Sequence, residues 1–216
     1  KRIPKKNIKD FKGKPIIERI IKKVIKIKYF QKIIVSTDND EIAEISKKSG
    51  ALVPFLRPKS LSDDFTPARE VIIHALDWYK EKGTTFDKVC CIFPTSILLK
   101  KEDLVKGLDK SIKSKDDSYV FSATSFSHPI QRAFNIKKGI SNMINPENFN
   151  ERTQDLIPYY HDAGQFYIAS SNTWLNKTNF FENGTPLLIP KWQAVDIDDQ
   201  EDWERAEIIY EIMNRN

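Results

Sequence analysis

Two aspartates two residues apart, Asp196 and Asp198 in "QAVDID", carry the sharpest chemistry in this chain. On an extended segment, residues i and i+2 share a face, so both carboxylates meet one spot. Two such groups repel unless a cation or a proton stands between them. No His or Cys lies beside them, and a hard oxygen pair suits Mg2+, which is often held by one or two carboxylates and completed by substrate phosphates. A second reading stands next to this one. Asp198 or Asp199 caps the helix that follows, with Glu201 and Asp202 at its positive end. Capping accounts for Asp199, Glu201 and Asp202 but leaves Asp196 without a role. The opposite pole is the opening "KRIPKKN", with cations at Lys1, Arg2, Lys5 and Lys6. Placed ahead of the turn "DFKGKP", these cations suit a polyphosphate bound through charge-assisted hydrogen bonds. A solvated basic terminus has the same composition.

The elements that must position these groups alternate. The spacing predicts a helix over 15–27, with Pro15 in its first turn and Ile16, Ile17, Ile20, Ile21, Val24 and Ile25 on one face. A buried strand follows at 32–38, then a helix ending at Gly50, then a short strand in "ALVPF". Thr66 is the expected cap of the next helix. "KVCCIFP" reads as a strand, "KKEDLVKGLDKSI" as a helix and "SYVFSAT" as a strand. This order predicts an α/β fold, a mostly parallel sheet with helices on both faces. After His128 the rhythm changes. A hairpin turning at Lys138-Gly139 leads into an irregular stretch, so about 130–190 reads as a β-rich insertion or lid on one domain spanning 1–216. "QAVDID" reads as the last strand, followed by a helix over 201–213. In open parallel sheets, ligands bind beyond the carboxyl ends of the strands. Here those ends are Thr37-Asp38, Pro94-Thr95-Ser96, Thr124-Ser125 and Asp196-Ile197-Asp198.

The 216 residues suffice for a sizeable core, and 40% hydrophobic with 11% aromatic content is ordinary for a globular chain. The +5 net charge comes from 35 Lys+Arg against 30 Asp+Glu, mostly lysines dispersed on helix faces. That pattern, without a zinc-finger or RNA-binding motif, argues against nucleic acid as partner. No apolar run is long enough to span a bilayer. Cys90 and Cys91 are neighbours on one strand and point to opposite faces, as small core residues of a reducing, cytoplasmic compartment do.

Taken in order, "KRIPKKN…GKPII", "STD", "RP…L", "PTS" and "DID" resemble the sugar-nucleotide cytidylyltransferases, the CMP-sialic acid synthetases and their relatives. "YYHDAGQFYI" (159–168) and "HPIQRAF" (128–134) resemble the pseudaminic acid branch of that family, whereas Phe93 stands where sialic relatives carry Gln. The resemblance implies a three-layer, Rossmann-like nucleotide-diphospho-sugar transferase fold, with a strand and phosphate loop ahead of residue 1. It implies CMP transfer from CTP to a nine-carbon α-keto acid sugar, pseudaminic acid first, with legionaminic or N-acetylneuraminic acid as neighbours. A non-catalytic nucleotide- or sugar-binding protein on the same fold is the alternative of a different class.

Carried over residue by residue, the resemblance gives Lys1 and Lys6 to the CTP phosphates, with Asn7, Arg57 and Thr66 lining the nucleotide pocket. Lys6, Asp196 and Asp198 form the catalytic set, the two aspartates binding Mg2+. Gln131 and Arg132 face the sugar carboxylate, and Asp162 and Gln165 its hydroxyl or acetamido groups. His161 is a weaker candidate base, and His74 reads as structural. Family members commonly dimerise, and 130–190 offers Trp174, Phe180 and Phe181 as contact residues for a homodimer, although core packing explains these aromatics at least as well.

Overall fold

The computed structural model describes residues 3–114 and 117–215. Helix α1 (Ile16–Ile25) buries Ile16, Ile17, Ile20, Ile21 and Val24, the stripe that its spacing predicts. Pro15 stands just outside it as the N-cap residue. In α2 (Asp40–Lys48) the Asn39 side chain accepts the Ile42 N–H at 3.0 Å, Asp40 and Glu41 occupy the positive end, and Lys47 and Lys48 the negative one. Gly50, at φ +101°, lets the chain turn away. Helix α3 (Ala68–Glu81) follows Pro67, which takes the N-cap position without a side-chain bond. Thr66 is therefore not a helix cap. Its hydroxyl donates to Asp63 at 2.7 Å inside a tight polar turn.

Strand β1 (Lys88–Ile92), helix α4 (Lys101–Lys113) and strand β2 (Val120–Ser125) follow as expected. The hairpin β3 (Phe134–Lys137) and β4 (Ile140–Met143) turns at Lys138 and Gly139, both at positive φ. Strand β5 (Tyr160–Ser170), helix α5 (Ser171–Asn176), strand β6 (Thr185–Leu188) and helix α6 (Gln200–Met213) complete the chain.

The main sheet is mixed, in the order β1-β5-β2-β6. β5 runs antiparallel between β1 and β2, and β6 lies parallel to β2. β1, β2 and β6 therefore share one direction, and β5 runs against them. Three expectations change here. The predicted insertion over 130–190 shrinks, because β5 and β6 belong to the main sheet and α5 packs on it. The predicted strands at 32–38 and in "ALVPF" meet only through single parallel bridges, Ile34↔Leu52 and Thr37↔Leu56. "QAVDID" likewise forms no ladder. A short 3-10 turn (Lys191–Gln193) precedes it, and the chain then runs extended.

Helices cover both faces of the sheet. On one, Leu104 and Leu108 of α4 pack on Val120, Phe166, Ile168 and Leu187, with Cys90 beside them. On the other, Trp174 of α5 with Ile72 and Leu76 of α3 meets Phe121, Tyr167 and Ala169, with Cys91 beside them. The neighbouring cysteines thus divide between the two cores, and burial pushes both thiols up, Cys91 to about 12. Trp174 is fully buried and Phe180 packs on it at 5.6 Å between ring centroids, so both are core residues rather than dimer contacts. Phe181 remains 55% exposed.

Gly107 marks the closest approach of α4 to the sheet. A Cβ there would stand 2.7 Å from the Phe166 ring. Alanine favours a helix over glycine by about 0.8–1.0 kcal/mol, but overpacking a core typically costs about 1–3 kcal/mol. We expect Gly107→Ala to lower the urea unfolding midpoint, and a raised midpoint would show that Phe166 moves aside freely.

Candidate functional site

The segment after the Lys191–Gln193 turn alternates sharply. Val195 and Ile197 are buried beside Phe11, Ile16, Ile20, Leu98 and Trp203, while Asp196 and Asp198 face out. That alternation aims both carboxylates to one side. Lys6, from the 3-10 turn Lys6–Ile8, donates to the Ile197 carbonyl and stands 3.3 Å from Asp198 Oδ1. The two poles of the sequence therefore meet.

Helix capping falls to other residues. Asp199 accepts the Asp202 N–H at 3.0 Å and Asp202 accepts the Asp199 N–H at 3.3 Å, a reciprocal capping box for α6. Asp196 and Asp198 are left uncommitted to the cap and facing out. The Asp196 carboxyl is held above its ordinary value, first by partial desolvation and then by Asp198, with Lys6 pulling the other way and Asp202 and Asp162 adding to the rise.

On the other side of Lys6, Lys5 pairs with Glu41 at 3.1 Å in the first turn of α2. Half-buried Arg57 reaches the Ser36 carbonyl at 3.3 Å and Asp38 at 3.5 Å, at the end of the 33–37 segment. Lys6 and Arg57 therefore both meet carboxylates at carboxyl ends of extended segments. Asn7 is half-buried beside Lys6. Thr66 keeps its contacts within its own loop, and Lys1 lies outside the described residues.

The stretch "DAGQ" forms a wide bulge. β2 pairs Phe121 with Tyr167 and then Ala123 with Asp162, so residues 163–166 stand against Ser122 alone. Gly164, at φ +61°, makes the bend. The Ser122 hydroxyl accepts the N–H groups of Gln165 at 3.1 Å and Phe166 at 3.4 Å. From the other side, the Ser96 hydroxyl donates to the Gln165 carbonyl at 3.0 Å.

Asp162 is fixed by the Gly164 N–H at 2.8 Å and by the Tyr167 hydroxyl. Burial, and then the Asp162 carboxylate, push the Tyr167 phenol well above its ordinary value, so it remains a donor. Asp162 helps raise Asp196, and Asp196 in turn adds to the rise at Tyr167. The loop carrying Ser96 has its own anchor. Lys23 of α1 donates to the Ile97 and Leu99 carbonyls, each at 2.7 Å, and burial pushes its amine down to about 8.

The remaining candidates lie apart from this cluster or inside the core. Gln131 donates to the Ile157 carbonyl at 2.7 Å, and Arg132 to the Glu151 carbonyl and Thr153, all within 126–159. Arg132 Nε is buried without a partner. Gln165 is only 2% exposed, and its side chain reaches the Gln193 carbonyl rather than open space. His161 is exposed, with Nδ1 against the Asp162 carbonyl and its ring on Phe126. His74 stacks edge-on against Phe55, a packing role.

A family model described as Cytidylyltransferase matches residues 1–183. The pseudaminic acid cytidylyltransferase of Campylobacter jejuni subsp. jejuni serotype O:2 is 37% identical over 98% of this chain and 92% of its own length. The chain belongs to the cytidylyltransferase family. The CMP-N,N'-diacetyllegionaminic acid synthase of Legionella pneumophila is 30% identical over 98% of this chain and 92% of its own. Among solved structures, a CMP:2-keto-3-deoxy-manno-octonic acid synthetase complexed with CTP superposes with TM-score 0.69 at 12% identity, covering 98% of this chain and 94% of that one, a likeness of fold.

For a cytidylyltransferase, the residues that sequence reasoning missed are those holding the site in place. Ser122, Tyr167, Gln193 and Lys23 carry no spacing signal, and Ser96 shows in the sequence only as part of a polar strand end. Asp162 and Tyr167 are five apart and would face opposite sides of a regular strand; only the bulge brings them together.

The raised Asp196 value fixes a sign. A folded-state value above the unfolded one means a contribution to stability that is present in acid and lost as pH rises through the folded value. In the unliganded protein we therefore expect Asp196→Asn to raise the urea midpoint near neutrality, the gain shrinking as pH falls towards the ordinary 3.8. A gain that stays constant with pH would remove carboxylate repulsion as its cause.

Proposed function

We propose that this cytidylyltransferase transfers CMP from CTP to the anomeric hydroxyl of pseudaminic acid, releasing pyrophosphate. The observation that carries the reading is the meeting of Lys6, Asp196 and Asp198 beside the DAGQ bulge. The 37% identical Campylobacter relative, which bears the name of that activity, supports the sugar. The relative named as a legionaminic acid synthase makes that acid the nearest competitor.

The chemistry is an in-line displacement. The sugar hydroxyl oxygen forms a bond to the α-phosphorus and releases its proton to solvent water, the bond from that phosphorus to the bridging oxygen breaks, and pyrophosphate departs with the electron pair. Such a reaction rests on positioning and on stabilising developing charge. Lys6 supplies a cation beside Asp198, with Asn7 and Arg57 on the nucleotide side, and Lys1 is assigned to the phosphates on the resemblance alone.

Two carboxylates fit Mg2+. Among the described residues no group of three or more His, Cys, Asp or Glu could hold a metal ion, so Asp196 and Asp198 would hold it together with phosphate oxygens and water. When bound, the ion lowers the negative charge on the phosphate oxygens. Asp162, oriented by Tyr167 and Gly164, faces the sugar hydroxyls. Arg132, with its unpartnered Nε, serves the sugar carboxylate, with Gln131 beside it.

The partner reading is a homodimer through the β3–β4 hairpin, where Phe134, Ile136 and Ile140 stay 58%, 69% and 66% exposed. A cytoplasmic setting fits two free cysteines. Among the described residues no helix is long and apolar enough to cross a membrane.

The test is pyrophosphate release from CTP with pseudaminic, legionaminic and N-acetylneuraminic acids. Pseudaminic acid is expected to give the fastest release. Faster release with another acid would reassign the sugar, and none with any would overturn the activity. In the same assay Asp198→Asn should lower turnover by about a hundredfold, as loss of a charge-stabilising group does, with an unchanged urea midpoint. Wild-type turnover at saturating Mg2+ would remove the carboxylate role.

A further inference from the structure

The bulge does more than shape the sugar side. Its buried Gln165 sends a side-chain N–H to the Gln193 carbonyl at 2.7 Å. Gln193, itself fully buried, sends its own side-chain N–H to Asp103 Oδ2 at 2.8 Å, in the first turn of α4. Next to it Lys100 Nζ lies 4.8 Å from the centre of the Trp192 ring. Two residues beyond Gln193 begins the stretch that carries Asp196 and Asp198.

That stretch has no strand ladder to fix it, so its placement rests on the buried Val195 and Ile197 side chains, on Lys6 at the Ile197 carbonyl and Asp202 at the Asp198 N–H, and on this relay. The relay runs through the core. Gln165 also receives Ser96 on its carbonyl and gives its backbone N–H to Ser122, so its main chain is pinned on both sides. The side-chain Oε1 atoms of Gln165 and Gln193 are buried without a donor. Leaving an acceptor unsatisfied in the interior is costly, and the relay's two N–H···O links persist in spite of it.

We infer that Gln165 is a positioning residue that fixes the Asp196–Asp198 segment, and not a ligand of the sugar. The inference rests on the proposed role of those carboxylates in CMP transfer. A sugar ligand must reach solvent-accessible space, whereas Gln165 is buried, its amide nitrogen is spent on the Gln193 carbonyl and its Oε1 is itself enclosed. A group that orients the residues binding a metal or phosphate typically costs about 10–100-fold when removed.

The experiment compares wild type with Gln165→Leu and Asp103→Ala in the pyrophosphate assay and in backbone amide exchange. Gln165→Leu should lower kcat at least about tenfold, leave the sugar KM within about twofold and speed exchange over 191–198. A sugar KM raised tenfold or more, with exchange over 191–198 unchanged, would overturn the inference and restore the ligand role. Should Gln165→Leu fail to fold, Asp103→Ala cuts the same relay from its half-buried end. Faster exchange over 191–198 with lower kcat supports the inference, and unchanged exchange overturns it. Asp198→Asn in the same series separates the two claims. If that variant turns over normally, the role of the carboxylates falls, while exchange in the Gln165 variant still reports on the relay.

Discussion

The site depends on the burial of Val195 and Ile197. A segment without ladder partners on either side is held by two apolar side chains sunk among Phe11, Leu98 and Trp203, and the residues between and after them must then face outward. A slip of one position would bury both carboxylates and expose both aliphatics, which is far costlier than any turn preference. Lys6 adds the second constraint. By bonding the Ile197 carbonyl and standing beside Asp198, it ties the start of the described chain to its last extended segment. The α6 capping box occupies Asp199 and Asp202 and so keeps Asp198 available.

The second organising feature is the bulge in β5. Four residues against one would leave several backbone groups unpaired in the sheet interior. Ser122 and Ser96 satisfy them from opposite sides, and Lys23 steadies the loop that carries Ser96. The same distortion brings Asp162 and Tyr167 together. The bulge and the stretch that carries Asp196 and Asp198 are thus joined through the buried Gln165 and Gln193 side chains, which end on Asp103 of α4.

Much of this was legible in the residues. The stripe in α1, the acids and lysines at the ends of α2, the hairpin at Lys138-Gly139 and the outward pair Asp196/Asp198 all follow from local periodicity and turn chemistry. The cleft at carboxyl ends of extended segments follows from general α/β geometry. Other features were not legible, for physical reasons. The antiparallel placement of β5 is a choice of tertiary pairing that a period-2 pattern cannot encode. Thr66 was a plausible cap by type, but Asp63 competes for its hydroxyl. Gln165 was read as a ligand from its place in a motif, and nothing in a one-dimensional pattern distinguishes an amide turned inward from one turned outward. Trp174 and Phe180 were read as contact residues because aromatics serve cores and interfaces alike.

Lys23 has one more consequence. An ammonium has three N–H donors and a neutral amine two, and Lys23 faces two carbonyls, Ile97 and Leu99. Losing its proton near pH 8 therefore leaves both attachments intact. Because the unfolded chain holds that proton up to about 10.5, this residue makes the fold firmer as alkalinity increases from about 8 towards that value. The loop that carries Ser96 is moored by a contact that alkali does not loosen, on the side of neutrality where many lysine-based tethers let go.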